Sequence, residues 1–384
     1  MTLPPKNPDF PGFPAFSRDI FSPDGEVLLQ SKSTGRVMTL PYCYQSLEVM
    51  KMKLYTVAIL GATGAVGQQM LEILEERNFP VGKLVPLASA RSAGKKLLFK
   101  GEEVTIQEVC AEAFQGVDIV LGAAENDIAE KWAPAIVAAG AVFVDNSSAF
   151  RLNPDVPLVV PEINPEDAKL NKGIISNPNC STIITCTAVN ALNSIAPIKS
   201  MVASTYQAVS GAGVAGMAEL EKQIAALLEG KPAEVKTFAY QIAYNLIPQI
   251  GGEQEDGYTS EEMKLHYEGR KIMHLPELNV SCTCVRVPVM RSHSISVKLH
   301  FDKPVSVEAA REVLAKAPGV KLVDDLNAKQ YPMPLDTSGQ DIVYVGRIRP
   351  DLTDPNGLCL WCCGDQVRKG AATNCIQIAE LLTK

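Results

Sequence analysis

The chain has 384 residues, of which 46% are hydrophobic and 21% are charged, and its formal net charge at pH 7 is −7. At roughly 100–200 residues per domain this length predicts two or three domains, and the composition excludes a wholly disordered chain. The acidic balance argues against a nucleic-acid partner, and the longest nearly apolar run, 132–144, is shorter than the about 18 residues that span a bilayer, so we expect no membrane partner.

Residues 1–51 differ from the rest of the chain. They hold seven of the 26 prolines, show no sustained helical or strand period, and carry five basic and five acidic residues that cancel. Such a composition favours an irregular extension. A strand pattern follows Met52 directly, so we hypothesise that Met52 is the natural start. The alternative is a genuine extension that packs on the surface, and N-terminal sequencing of the native protein distinguishes the two.

A β-branched and apolar run at 55–60 leads into a glycine-rich turn and then an amphipathic helix pattern at 68–76. The turn residues are Gly61, Thr63, Gly64, Ala65, Val66 and Gly67. In dinucleotide-binding folds such glycines let the backbone approach a pyrophosphate at a helix N-terminus. A plain tight turn is the alternative. Further strand patterns at 84–90, 117–124 and 141–147, with a helix pattern at 126–139, favour a doubly wound parallel sheet.

The end of the second predicted strand indicates which cofactor binds. An NAD site places Asp or Glu there to bind the ribose hydroxyls. This chain has Ser89, Arg91 and Ser92 instead, followed by Lys95 and Lys96. Hydroxyl and cationic groups suit a 2′-phosphate, so the sequence predicts NADP(H). An exposed basic loop is the alternative.

One of the ten cysteines is placed for catalysis. Cys180 precedes the helical run 183–192, so it lies at a helix N-terminus, where unpaired amides and the helix dipole favour a thiolate. Asn179 and nearby backbone amides are placed to hold an oxyanion. We interpret most of the others as buried packing, because Cys359 and Cys362 in a strand-like run face opposite sides and argue against a Cys-x-x-Cys redox or metal site. Ten cysteines without a secretory leader or regular spacing favour a reducing, cytoplasmic compartment.

Seven motifs in order carry a resemblance to a known family. They are the glycine turn, the basic loop, and the segments 146–151, 177–182, 207–213, 261–264 and 286–293. From about residue 53 to 382 the chain closely resembles aspartate-β-semialdehyde dehydrogenase. That family catalyses the NADPH-dependent reductive dephosphorylation of β-aspartyl phosphate to L-aspartate 4-semialdehyde, on the route to lysine, threonine and methionine. The resemblance implies this reaction, with aspartate semialdehyde, β-aspartyl phosphate and phosphate as small-molecule partners. It also implies a homodimer.

The resemblance also implies the catalytic roles. Cys180 matches the nucleophile that attacks the acyl phosphate and forms a thioester, which accepts hydride where a carboxylate does not. His293 matches the acid/base residue, and Gln207 matches an amide that positions the acyl group. Gln377 falls where the last helix of the family returns to the nicotinamide.

The family assigns four charged residues to the substrate. Arg286 matches the arginine that grips the α-carboxylate, and Glu261 matches the carboxylate that pairs with the α-ammonium. Arg151 and Lys264 match the cations around phosphate. For Glu261 and Lys264 the alternative is an ion pair three residues apart on a solvated helix face. The loop 122–127 departs from the family, because Glu125 stands where relatives are richer in serine and glycine.

The predicted fold is α/β. A Rossmann-type NADP-binding domain spans 52–180 plus 365–384, and an α+β catalytic and dimerisation domain with a largely antiparallel sheet spans 181–364. Two other functions stay open: the related N-acetyl-γ-glutamyl-phosphate reductase, whose substrate lacks a free α-ammonium, and a non-catalytic NADP-binding scaffold. A carboxylate at Glu261 distinguishes the first, and retention of Cys180 and His293 distinguishes the second.

Overall fold

The computed structural model describes residues 28–30, 37–39 and 53–383. Within the N-terminal extension, strands β1 (Leu28–Gln30) and β2 (Val37–Thr39) pair antiparallel. Three-residue strands are too short to show a period in the sequence, and the irregular extension stays a prediction. The rest of 1–51 and the hypothesised start at Met52 lie outside the described residues.

A six-stranded parallel sheet follows, in the order β10-β9-β8-β3-β4-β7, beside a small β5–β6 hairpin. Its elements are β3 (Tyr55–Leu60), α1 (Ala65–Glu76), β4 (Val81–Ala88), β5 (Lys96–Phe99), β6 (Glu102–Thr105), β7 (Gln107–Glu108), β8 (Ile119–Gly122), α2 (Asn126–Ala138), β9 (Val142–Asp145) and β10 (Ile174–Ser176).

Strand β3 explains why this sheet is doubly wound. Val57 and Ile59 pack into one hydrophobic core, while Ala58 and Leu60 pack into a second core on the opposite face. A strand that is buried on both faces reads as a continuous apolar run, as 57–60 does. The predicted Rossmann-type sheet is confirmed.

The second sheet has the order β12-β11-β13-β16-β15-β14, with antiparallel pairs in the middle and a parallel pair at each edge. The remaining elements are α3 (Cys180–Val189), β11 (Ile198–Gln207), α4 (Gly213–Leu228), α5 (Ser260–Ile272), β12 (Asn279–Arg286), β13 (His293–Phe301), α6 (Val307–Leu314), β14 (Val320–Leu322), α7 (Pro334–Thr337), β15 (Val343–Pro350), β16 (Gly357–Gly364) and α8 (Thr373–Leu381). None of the described helices is long and apolar enough to cross a membrane.

The topology brings distant segments together at one end of the second sheet. Gln207 ends β11 and lies beside Arg286, which ends the parallel strand β12. His293 begins β13 and pairs with Gly364 at the end of β16. A π-helical turn at Arg368–Ala372 then leads into α8, which contacts α1, β8 and β9 of the first sheet.

Candidate active site

The glycine turn has a shape that only glycine permits at two positions. Gly61 has a φ of +93°, and a Cβ there would collide with the carbonyl oxygen of Ala123. A Cβ on Gly67 would collide with the carbonyl oxygen of Gly61, so helix α1 packs directly against the turn. Bare backbone at the N-terminus of α1 is what a dinucleotide phosphate needs, so these residues fit a nicotinamide dinucleotide.

The remaining residues of the predicted cofactor site lie around this turn. Gly64 and the side chain of Thr63 are exposed, and the side chains of Ala65 and Val66 are half-buried. The basic loop forms a tight turn in which the amide of Ser92 donates to the carbonyl of Ser89 at 2.8 Å. Arg91 is exposed at its tip.

Two features of the surroundings affect this site. A cleft of about 470 Å³ beside the turn is lined partly by Thr63, Lys95 and Lys96. Glu125 is exposed at the N-cap position of α2, in the loop that contacts Gly61. The cleft combines the two lysines with two carboxylates of helix α1, Glu72 and Glu75.

Cys180 is the first residue of helix α3. The side-chain oxygen of Asn179 caps the helix by accepting from the amides of Ser181 and Thr182 at 3.0 and 3.2 Å. Gly370, in the π-helical turn, packs on Cys180 so closely that a Cβ would come within 2.9 Å of the Cβ of Cys180. The C-terminal segment therefore forms one wall around the thiol.

The thiol differs from the expectation based on the helix terminus. Burial raises the pKa of Cys180 to about 11, and the negative charge of Glu261 adds to that increase. Lys264, Arg151 and Arg286 act in the opposite direction without cancelling it. Since two amides of the helix terminus are already capped by Asn179, the free protein holds Cys180 as a thiol near neutral pH.

Glu261 is the centre of a buried hydrogen-bond network. Its Oε1 accepts from Asn179 Nδ2 and from Gln207 Nε2, both at 3.1 Å, and its Oε2 accepts from Lys264 Nζ at 2.8 Å. Burial opposes ionisation, but Lys264 and the two amides outweigh it and hold the pKa of Glu261 at about 2. The pair with Lys264 does form, yet the Glu261 side chain is only 10% exposed, so this is not a solvated helix face.

His293 is fully buried and has a defined tautomer. The amide of Ala208 donates to His293 Nδ1 at 3.0 Å, so the neutral ring carries its proton on Nε2. Nε2 faces the Gln207 amide nitrogen at 3.4 Å. Burial and the charge of Arg286 lower the pKa of His293 to about 3, although Glu261 raises it. The ring is therefore neutral and presents an N–H donor.

The two arginines predicted to bind substrate are held differently. Arg286 donates from Nη1 to the carbonyl of Ala208 at 2.7 Å and lines a cavity of about 300 Å³. Arg151 is buried, donating to the carbonyls of Asn177 and Asn146 at 2.9 and 2.7 Å. That cavity is not lined by Cys180, Glu261 or His293. Arg151 stabilises the loops beside Cys180.

Sequence reasoning missed Glu268. This buried carboxylate accepts from Arg151 Nη1 at 3.1 Å and from the backbone amide of Asn179 at 2.7 Å, so it joins the predicted phosphate arginine to the loop of the nucleophile. It lies on the same helix as Glu261 and Lys264, one turn beyond Lys264. That spacing was the available signal.

Comparison with known proteins identifies the family. The family model for the NAD binding domain of semialdehyde dehydrogenase matches residues 56–171. The family model for the semialdehyde dehydrogenase dimerisation domain matches residues 189–369. Aspartate-semialdehyde dehydrogenase from Synechocystis sp. is 53% identical over 328 residues, which cover 85% of this chain and 97% of that protein. The one from Aquifex aeolicus is 52% identical over 334 residues, which cover 86% and 98%. This chain belongs to the aspartate-semialdehyde dehydrogenase family.

Solved structures of this family have the same architecture. Aspartate semialdehyde dehydrogenase II from Vibrio cholerae, complexed with ASA, is 46% identical with a TM-score of 0.83, and the match covers 86% of this chain and 98% of that one. The enzyme from Candida albicans with NADP is 27% identical with a TM-score of 0.65, over the same shares of the two chains. The chain is therefore an oxidoreductase with a domain for a nicotinamide cofactor, and the resemblance drawn from the motifs is confirmed. Neither of the two alternatives, N-acetyl-γ-glutamyl-phosphate reductase and a non-catalytic NADP-binding scaffold, is favoured.

Gln377, the family residue expected at the nicotinamide, is engaged internally. Its Nε2 donates to Glu162 Oε1 at 2.9 Å, and its Oε1 accepts from the fully buried Lys369 Nζ at 2.8 Å. Glu162 and Lys369 form an ion pair of 2.6 Å. Gln377 therefore links helix α8 to a buried ion pair.

Among the described residues no group of three or more His, Cys, Asp or Glu side chains could hold a metal ion.

Proposed function

We propose that this chain catalyses the NADPH-dependent reductive dephosphorylation of β-aspartyl phosphate to L-aspartate 4-semialdehyde. The observation that carries the proposal is a cluster from separate elements: Gln207 contacts Glu261 and His293, and the charges of Glu261 and Arg286 act on the Cys180 thiol. The two aspartate-semialdehyde dehydrogenases compared above align with this chain over nearly their whole length.

In the first step the sulfur of Cys180 bonds to the β-carbonyl carbon, and the bond from that carbon to the phosphate oxygen breaks. The thiol proton passes to the departing phosphate as the thioester forms, so both products leave the step with balanced charge. The N–H of His293 suits donation to the acyl oxygen, which is the acid half of its role. To act as a base, Nε2 needs the other tautomer, with the proton on Nδ1 and without the hydrogen bond from Ala208. When bound, the nicotinamide cofactor supplies the hydride that reduces the thioester.

The charged residues suit the other groups of this substrate. The guanidinium of Arg286, which Nη1 fixes to the carbonyl of Ala208, suits an α-carboxylate. Glu261 stays ionised and suits an α-ammonium, which N-acetylated substrates lack. Lys264, 31% exposed, and Arg151 are the cations available to phosphate. An α-ammonium would compete with the amides of Asn179 and Gln207 for Glu261 and so free both amides for the acyl group.

We further propose NADP(H) as the cofactor. Support comes from the exposed Arg91 between Ser89 and Ser92, with Lys95 and Lys96 on the adjoining cleft. These groups offer charge-assisted hydrogen bonds to a 2′-phosphate, and no carboxylate lies in this loop to bind a ribose diol.

A homodimer is proposed through the outer face of the second sheet. Val202 and Tyr206 point away from the core and are 49% and 37% exposed, and Tyr206 packs on Trp361 with ring centroids 5.3 Å apart. Apolar side chains on an open sheet face favour association with a second copy.

A reducing, cytoplasmic compartment is proposed as the location of the protein. The nine described cysteines are all free thiols, which agrees with it.

The test is a substrate assay. The purified full-length chain is incubated with L-aspartate 4-semialdehyde, phosphate and NADP, and reduced cofactor is followed by absorbance. We expect reduction that depends on phosphate, with NADP preferred over NAD. N-acetyl-L-glutamate 5-semialdehyde, the acetylated analogue, is assayed in parallel as the comparison substrate. A preference for that acetylated substrate, or no phosphate-dependent reduction of either nucleotide, contradicts the proposal.

A further inference from the structure

The turn that precedes His293 has an unusual backbone. Ser292 is fully buried and has a φ of +74°, a left-handed conformation that residues other than glycine rarely adopt. Its amide donates to Gln366 Oε1 at 2.9 Å, and Gln366 in turn donates to the hydroxyl of Ser210. Such a conformation persists only when surrounding contacts impose it.

Arg291 supplies the strongest of these contacts. Its Nε pairs with Asp365 Oδ2 at 2.6 Å. Asp365 is fully buried, and its two oxygens also accept from the amides of Gly339, Val367 and Arg368 at 2.7, 2.9 and 3.0 Å. A carboxylate held by three backbone amides is a fixed anchor, so the pair immobilises the residue two positions before His293.

The second contact of Arg291 reaches the cofactor domain. Arg291 Nη2 donates to Gln69 Oε1 at 2.7 Å. Gln69 is buried in helix α1, within its first two turns. Gln69 belongs to the segment matched as an NAD binding domain, and Arg291 to the segment matched as a dimerisation domain. One guanidinium therefore bridges the helix that follows the glycine turn and the turn that carries the histidine.

We propose that Arg291 is a positioning residue that holds His293 in register with the cofactor helix through Gln69 and Asp365. The proposal rests on the proposed function for the role of His293. Displacement of a reacting group by about 1 Å can cost about 10²-fold in rate, so a fixed turn matters even without contact to substrate. The His293 ring itself has no exposed surface.

The first experiment measures catalysis in variants of this link. Arg291→Gln is expected to lower kcat about 10²-fold, and Gln69→Ala about tenfold, with the KM for NADPH changed less than about twofold. Arg291→Lys and Gln69→Glu keep one contact and are expected to recover part of kcat. Arg311→Gln is the matched control, because it removes a similar pair, Arg311 Nε to Asp324 Oδ2 at 2.8 Å, elsewhere on the surface.

A pH profile separates positioning from plain stability. If the turn loosens in Arg291→Gln, water reaches His293 and its pKa rises towards its ordinary value of about 6.5, so the pH profile of kcat gains a titration near pH 6.5 that the parent lacks. The charged groups that act on the ring are Arg286 and Glu261, and both stay in place. The control is expected to keep the profile of the parent. A lower Tm with unchanged kcat and pH profile in Arg291→Gln overturns the proposal.

A readout without turnover separates this proposal from the proposed function. Diethyl pyrocarbonate modifies accessible neutral imidazoles, and mass spectrometry locates the site. We expect His293 to resist modification in the parent and in Arg311→Gln, and to react in Arg291→Gln at least about tenfold faster. That result supports the positioning role even if the parent shows no phosphate-dependent activity. Equal protection in all three proteins overturns it.

Discussion

The glycine turn and the catalytic pocket use opposite means to build a site. The turn consists of backbone, with glycine required at Gly61 and Gly67 and with Thr63, Ser89 and Arg91 exposed around it. The pocket consists of buried and half-buried side chains that meet from α3, β11, α5, β12 and β13. A substitution at the turn should therefore change cofactor affinity, whereas one in the pocket should change the chemical step.

Cys180→Ala tests this separation with the largest expected effect. Without the sulfur no thioester forms, so we expect kcat to fall by about 10⁴-fold or more. The Kd of NADPH, measured by fluorescence titration, should stay within about twofold, because the thiol lies on the acyl side of the pocket. Cys110→Ala, at an exposed cysteine, is the control. Strong loss of cofactor binding in Cys180→Ala would contradict the division between the regions.

Glu261→Gln tests the pocket through its buried charge. Loss of a buried, paired carboxylate costs about 2–5 kcal/mol, so we expect kcat/KM for aspartate semialdehyde to fall at least about 30-fold. The thiol should respond in the opposite direction. Glu261 raises the pKa of Cys180, so its neutralisation lowers that pKa from about 11 and increases the thiolate at any pH below it.

Alkylation by neutral iodoacetamide measures that thiolate between pH 7 and pH 10. We expect the Cys180 rate to be faster in Glu261→Gln than in the parent, with the largest ratio at the lower pH values. Glu253→Gln, at an exposed glutamate, is the control and should leave the rate unchanged. A slower alkylation in Glu261→Gln would show that Glu261 acts on the thiol through packing and not through its charge.

The same contrast explains what could be predicted from the sequence. Helix α2 was predicted at 126–139 and ends one residue earlier, at Ala138. The agreement is close because an amphipathic period is a local signal. Helix α3 was predicted from 183 but begins at Cys180, since the Asn179 side chain caps amides that periodicity does not detect. Strand β12 ends at Arg286, ahead of the Ser292 turn, and the contacts that impose this turn are distant in sequence.

The candidate site divides in the same way. Short motifs located Cys180 and His293, while Glu268 escaped because its partner Arg151 is 117 residues away. The pKa of Cys180 also escaped, because burial depends on Gly370 and other residues distant in sequence. Local chemistry was predictable, and the packing that modulates it was not.

Gly61→Ala tests the turn through its backbone. The new Cβ would meet the carbonyl oxygen of Ala123 in a left-handed conformation, so the turn must shift. We expect the Kd of NADPH to rise about 30-fold, with alkylation of Cys180 unchanged. Gly116→Ala is the matched control, since Gly116 has a φ of +72° and open space around a Cβ. Equal loss in both variants would assign the effect to backbone strain alone.

Arg91→Ala tests the one part of the turn that depends on a side chain. A charge-assisted hydrogen bond at an exposed position contributes about 1.4 kcal/mol, so we expect the Kd of NADPH to rise about tenfold. The Kd of NADH should change less than about twofold, because NADH lacks the 2′-phosphate. The NADPH effect should also shrink as salt rises, since exposed charges are screened. Lys316→Ala removes the same charge at a distant exposed position and controls for the overall field. Equal weakening of both nucleotides would mean that Arg91 supports the fold of the loop, and the turn would then resemble the pocket, with a side chain acting through structure.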